Sequence, residues 1–251
     1  MEFRFILDDY VKPAMNMAID EALLKNCLAY GKPTVRFYRW KPRAVTIGYF
    51  QSLEQEVDTA KCAAEGIDCI RRSTGGGAVY HDSELTYSFV CPLDSGLVPK
   101  NILDSYRKVC GALVHGLREL GLQAAFVPLN DLIVNGRKVS GNAQTRKEKT
   151  ILQHGTLLID VDVDKMFSLL KVPNEKIRDK LISDVKQRVT SVNQEAGKKY
   201  SYFEVAAAIR KGFEENFHAR LVEEPLTPEE RQLAEKIAVE KFLKPDWTRM
   251  R

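Results

Sequence analysis

A mixed α and β fold follows from three features of this 251-residue sequence. Apolar residues recur at helical spacing in long stretches, as Met17, Ala18, Ala22, Leu23, Leu24 and Leu28 do within residues 13–30. Short, largely apolar runs at 85–91 and 151–160 have strand character. Between residues 132–134 and 138–140 stands Asn135-Gly136, the strongest short hairpin signal a sequence offers.

Taken in order, the helix at 13–30 opens on Pro13, which suits a first turn, and stops at Gly31-Lys32-Pro33. Strands follow at 35–40 and 44–50, with Lys41-Pro42-Arg43 as their turn. Gly48 interrupts the second and marks a bulge or a close approach. Arg36 and Arg39 alternate with aromatics, which puts them on a solvated sheet face, or turns one of them toward an anion. Ser52 caps a helix that runs to Glu65 and ends at Gly66. Residues 67–70 form a short strand. Residues 100–121 form a second amphipathic helix, with Ile102, Tyr106, Val109, Leu113 and Leu117 on its stripe and His115 as an ordinary helix histidine. Residues 145–149 are polar and basic and read as a mobile loop. Short helices at 163–170 and 174–183 follow, then helices at 202–217 and 228–242 joined by a connector at 221–227. The last helix offers Leu233, Ile237, Val239 and Phe242 for burial. The chain is expected to be a single domain over 1–251, with a soft internal boundary near residue 160 beyond which helices dominate.

Composition narrows the classes. Hydrophobic residues at 44% and charged residues at 29% are ordinary for a globular protein. The net charge of +4 is too small to argue for nucleic acid, though it suits an acidic protein partner. No apolar run approaches the length of a membrane span. The five cysteines are scattered without a CxxC pair, and the N-terminus lacks a signal peptide's basic and apolar regions. Reduced thiols and a cytoplasmic protein are the expectation.

The chemistry concentrates in two stretches. The first is Arg71-Arg72-Ser73-Thr74-Gly75-Gly76-Gly77-Ala78-Val79-Tyr80-His81-Asp82. Three consecutive glycines free the backbone and leave ligands unobstructed. Flanking arginines and exposed amides suit a phosphate or carboxylate. A P-loop needs Lys and Ser or Thr after its second glycine, and a Rossmann turn needs Gly-x-Gly-x-x-Gly before a helix. Neither pattern fits. The second stretch runs from Asn130 to Gln144. Its hairpin projects Arg137 and Lys138, and Ser140-Gly141-Asn142-Ala143 supplies small, hydrogen-bonding residues just beyond. Two glycine-containing, cation-bearing loops in one chain point to one ligand. His154, in the strand-like run at 151–160, reads from its surroundings as a structural histidine.

In this order and at this separation, residues 71–82, Asn130-Asp131 and Gly136-Arg137-Lys138-Val139-Ser140-Gly141-Asn142-Ala143 resemble the lipoate–protein ligase A family. The likeness extends from Arg36-Phe37-Tyr38-Arg39 and residues 47–51 through Leu170-Lys171-Val172-Pro173 to the C-terminus. It implies an α+β fold, a mixed, largely antiparallel sheet packed with helices, shared with biotin ligases and class II tRNA synthetases. It implies an enzyme that joins lipoate to ATP, with magnesium, and passes the lipoyl group from lipoyl-adenylate to a lysine of an apo lipoyl carrier domain. Such carriers are of the 2-oxoacid dehydrogenase E2 or glycine cleavage H protein type. The resemblance makes Lys138 the catalytic cation on the activated acyl group. Gly75, Gly76, Gly77 and Ala78 line the acyl-adenylate, and Arg71 and Arg72 face its anion. Asn130 and Asp131 sit near phosphates and magnesium, Ser140, Gly141, Asn142 and Ala143 line the site, and His81 and His154 lie near the pocket. Many members are longer and carry an accessory domain, so a separate accessory subunit is expected here.

Three other readings remain open. An octanoyl or lipoyl transferase of the same superfamily would need no ATP and would use a thiol, which is absent from residues 125–130, where one transferase type has it. A non-catalytic lipoate- or carrier-binding protein would have no use for the Lys138 cation. A biotin ligase carries a different glycine-rich motif.

Overall fold

The computed structural model describes residues 1–171 and 178–251. In chain order the strands are β1 (Glu2–Val11), β2 (Thr34–Trp40), β3 (Ala44–Ile47), β4 (Asp68–Arg71), β5 (Val79–His81), β6 (Glu84–Pro92), β7 (Ala124–Val127), β8 (Asp131–Val134), β9 (Arg137–Lys147), β10 (Thr150–Leu158) and β11 (Arg220–Glu223). The helices are α1 (Pro13–Tyr30), α2 (Leu53–Glu56), α3 (Thr59–Ala64), α4 (Ile102–Glu119), α5 (Val163–Leu169), α6 (Arg178–Arg188), α7 (Val192–Ala196), α8 (Tyr202–Phe217), α9 (Pro228–Ile237) and α10 (Pro245–Thr248), with a π-helical turn at Ala238–Phe242.

Eight strands make one sheet in the order β11-β1-β2-β6-β10-β9-β8-β7. Its β11/β1 and β1/β2 pairs are parallel and the rest antiparallel. A small sheet, β4-β3-β5, stands apart. Alternation along each strand assigns the two faces of the large sheet to different partners. Val35 and Phe37 of β2 join Phe3, Phe5, Tyr87 and Phe89 in a core closed by Leu113 of α4 and by Phe213 and Phe217 of α8. Tyr38 and Trp40, on the opposite face of β2, meet Met17, Ala22 and Leu23 of α1 and Ile237 of α9. The small sheet buries Val45, Ile47 and Tyr80 against Leu53, Cys62 and Leu169. Arg4 of β1 ties α9 to the sheet through a buried two-pronged bond to Glu230, with both contacts at 2.7 Å.

Local chemistry accounts for the element boundaries. Pro13 opens α1, and Gly31, at φ 79°, closes it by donating its N–H to the Cys27 carbonyl. Thr227 and Glu230 form a capping box at α9, as Ser201 and Glu204 do at α8.

Several expectations need correction. The single helix at 52–65 is two short ones. Val57 leaves helical geometry to bridge Leu170, Ser52 makes no side-chain cap, and Asp58 caps α3 by accepting from the Lys61 N–H at 3.0 Å. The loop expected at 145–149 is the end of β9 plus a tight turn. β10 supplies partners as far as Lys147, and Glu148 and Lys149 turn at φ 50° and 59°. The connector at 221–227 begins inside β11, because β1 offers that strand a free edge. Arg36 is fully buried, not solvated, and Ile102 and Val239 are exposed. Residues 174–177 of the helix expected at 174–183, and Val172 and Pro173, lie outside the described residues.

Candidate active site

A cleft of about 570 Å³ has walls from both sheets. Its apolar lining comes from Met17, Tyr38, Trp40, Val79, Leu158 and Met166. Its polar lining comes from the glycine loop, from β9 and from three buried networks. Each network places a polar side chain at the cleft, from β5, from β10 and from the loop after β4.

The glycine loop is shaped by close backbone contact. A Cβ added at Gly48 would lie 2.0 Å from the Gly76 carbonyl oxygen, so the interruption seen in the sequence is a close approach. Gly76 itself sits at φ 98°. Arg72 supports the loop from beneath. It donates to the carbonyls of Gly75 and Gly77, at 3.0 Å each, and to the Thr46 carbonyl and hydroxyl. None of these partners is anionic. Burial pushes the Arg72 guanidinium down to about 10, so a positive charge with little compensation lies under the cleft.

The second network is Asp20–His154–Thr74. The imidazole Nδ1 lies 3.0 Å from Asp20 Oδ2, and Nε2 lies 2.7 Å from the Thr74 hydroxyl. Asp20 also accepts from Arg36 and from the Tyr38 hydroxyl, at 3.2 and 3.0 Å. Burial alone would raise the Asp20 carboxyl, but His154 and Arg36 outweigh it and hold it below the ordinary value. Helix α1, strand β10 and the glycine loop are thereby joined.

The third network centres on His81. Its Nδ1 lies 2.6 Å from Glu84 and its Nε2 2.9 Å from the Thr46 hydroxyl, and the ring stacks on Trp40 at 4.0 Å. Burial lowers the His81 pKa despite the opposing pull of Glu84.

On β9, Lys138 reaches Asp131 at 2.8 Å and remains partly exposed. Asn142 is fixed by donating to the Asn130 carbonyl and accepting from the Tyr87 hydroxyl at 2.6 Å.

The cleft thus gathers Arg72, Gly76, Gly77, Ala78, His81, Asn130, Lys138, Ser140, Gly141, Asn142, Ala143 and His154. Gly75 and Asp131 stand just behind its surface, touching Arg72 and Lys138 respectively. Arg71 is placed elsewhere. Its buried guanidinium donates to the backbone carbonyls of Gly48, Tyr49, Gln51, Trp247 and Thr248, clamping the foot of the loop. Asp131 is engaged by Lys138 at 2.8 Å, and among the described residues no group of three His, Cys, Asp or Glu side chains is placed to hold a metal ion. Asp20, Thr46 and Glu84 were not singled out from the sequence. The one available signal was strand parity, which puts Glu84 and Thr86 on the face that carries Trp40.

No cysteine lines the cleft. Burial pushes Cys27 up to about 11 and Cys69, Cys91 and Cys110 up to about 12, and it raises Cys62 as well.

An apolar cleft walled by a glycine loop and a lysine hairpin, on this sheet, marks an enzyme of the lipoyl ligase kind. Residues 12–214 match the lipoyl protein ligase A/B catalytic domain, and the chain belongs to that family. It is 36% identical to octanoyltransferase LipM of Brevibacillus brevis over 98% of each chain. It is 38% identical to octanoyltransferase LipM of Geobacillus kaustophilus, over 98% of this chain and 97% of the other. Among solved structures it superposes on a bi-partite lipoate protein ligase of Thermoplasma acidophilum, described with its E2 lipoyl domain as part of an archaeal lipoylation system. The TM-score is 0.91 at 36% identity, covering 99% of this chain and 96% of the other. The mixed, largely antiparallel α+β fold is that of the lipoate ligases. The expectation of ATP-dependent lipoate activation is corrected by the octanoyltransferase relatives. The two octanoyltransferases also match nearly end to end, which supports the transferase alternative. Among the described residues no helix is long and apolar enough to cross a membrane.

Proposed function

We propose that this protein transfers a medium-chain acyl group, octanoyl or lipoyl in kind, from a thioester donor to a lysine amine of a lipoyl domain. The observation that carries the reading is a single cleft that joins an apolar wall of Tyr38, Trp40, Val79 and Leu158 to the ammonium of Lys138. An eight-carbon chain suits the first, and a carbonyl that develops negative charge suits the second.

The lack of a thiol on the cleft favours direct transfer. The acceptor amine attacks the thioester carbonyl, the C–N bond forms, and the C–S bond breaks. The proton lost by the amine ends on the departing thiolate. Lys138 and the buried charge of Arg72 offset the oxyanion in between. The apolar wall excludes water, which would otherwise hydrolyse the donor.

The test is to incubate the purified chain with an octanoyl thioester and an apo lipoyl domain, without nucleotide, and read the mass of the domain. Octanoylation of one lysine is expected. Acylation that appears only when free acid and ATP are supplied would overturn the proposal.

A further inference from the structure

Strand β9 is not regular where it carries Lys138. Ile133 of β8 pairs with Lys138 but Leu132 pairs with Ser140, so Val139 is an extra residue in β9. Such a bulge re-aims side chains. Val139 points into the core beneath α4 and α8, and Lys138 is turned to the opposite, cleft face. From there its stem runs along β9 and over Gly141. Its Nζ stops 2.8 Å from Asp131, the residue that faces Gly141 across the sheet. A Cβ at Gly141 would lie 3.1 Å from Nζ and 3.2 Å from Cε, closer than side chains normally approach. The φ of Gly141 is not in the left-handed region, so its backbone does not require glycine. The space a side chain would occupy there is taken by the end of the lysine.

We infer that Gly141 and Asp131 are positioning residues for Lys138. The glycine leaves a bed for the stem, and the carboxylate fixes the ammonium at the cleft wall. Asp131, expected near a metal, is the resting counter-ion of the lysine, and substrate oxygen competes with it for the same donor. The kinetic side of this inference rests on the acyl-transfer reading, and the stability side does not.

The experiment is a pair of double-mutant cycles, Gly141→Ala with Lys138→Ala and Asp131→Asn with Lys138→Ala. Each is read by denaturation midpoint and by transfer rate. In the otherwise natural chain, Gly141→Ala should lower the midpoint and cut kcat by about tenfold or more, with the donor KM changed less than about twofold. In the Lys138→Ala background the same substitution should lower neither midpoint nor rate, because the atoms it strikes are gone. Asp131→Asn should behave in the same way. Equal losses in both backgrounds would show that these residues serve the strand and not the lysine, and would overturn the inference. If Gly141→Ala does not fold, the Asp131 cycle decides, since coupling to Lys138 is expected and additivity overturns. If the chain transfers nothing from a thioester, the function proposed above fails, while the midpoints still judge the positioning.

Discussion

The two faces of the large sheet are packed by different means. The face under α4 and α8 is held by rings. Phe213 contacts Phe37, Tyr87, Phe89 and Phe217 at centroid distances of 5.9–6.2 Å. The face under α1 is held by ions and hydrogen bonds, among them Arg36, fully buried between Asp8, Asp20 and Asn16. Burying a charge is costly unless it is paired, and an apolar packing would be at least as stable. The polar face therefore accepts weaker net stabilisation in return for oriented groups beside a ligand. The apolar face has no such duty. Stability and chemistry are separated by strand parity, so substitutions on the two faces should fail differently.

The largest expected effect is on the apolar face. Phe213→Ala should cost about 3–5 kcal/mol of unfolding free energy, with the transfer rate per folded molecule unchanged. Chemical denaturation and a rate corrected for folded fraction check this. A lower specific rate would mean that the faces are not separable. Next comes Lys138→Ala, expected to slow transfer by about 10²–10³-fold with little change in melting temperature. A rate near that of the natural chain would remove Lys138 from the chemistry. Between the two kinds lies Asp20→Asn, which leaves Arg36 and His154 without their shared anion. It should cost about 1.5–3 kcal/mol and also slow transfer, because the glycine loop loses its tie through Thr74. Loss of stability with an unaltered rate would make that tie mere scaffolding.

A smaller effect follows from pH. The His81 pKa is lowered by burial from its ordinary 6.5, so the unfolded chain binds this proton more readily than the folded one. The resulting stability is present above pH 6.5 and is lost as pH falls below it toward the folded value. A falling melting temperature over that range, flattened in His81→Gln, is expected, and parallel profiles for the two proteins would contradict it. The smallest effect is expected from replacing all five cysteines with Ala or Ser, in a variant that still folds. The rate should stay within about twofold, because no thiol faces the cleft and no acyl-enzyme is needed. Loss traced to one cysteine, in a folded protein, would sink direct transfer and restore a thiol intermediate.

Much of this was legible in the residues. Helices α1 and α8 and the Asn135-Gly136 turn follow from apolar spacing, Pro13 and the turn dipeptide, all of them local signals. The glycine loop and Lys138 hairpin were visible because their residue types have few other uses. What escaped depends on pairing at long range. β11 looks like a charged connector until β1 offers it an edge, and residues 145–147 look mobile until β10 lies beside them. Arg71 and Arg72 are identical letters side by side. One supports the loop floor and the other reaches carbonyls some 176 positions away, a difference that sequence adjacency conceals. Function was misjudged for a related reason. The motifs that hold an acyl group are shared by ligase and transferase, and what separates the two is the leaving group.

The Arg71 clamp also sets a timetable for the cleft. Its carbonyl partners come both from residues 48–51, made just before it, and from Trp247 and Thr248, made far later. A nascent chain that has exposed the glycine loop can pair β3 with β4, but it cannot close the clamp until α10 has left the ribosome. Because contacts so distant in sequence form late, the foot of the glycine loop is secured only after residues 247 and 248 have been made.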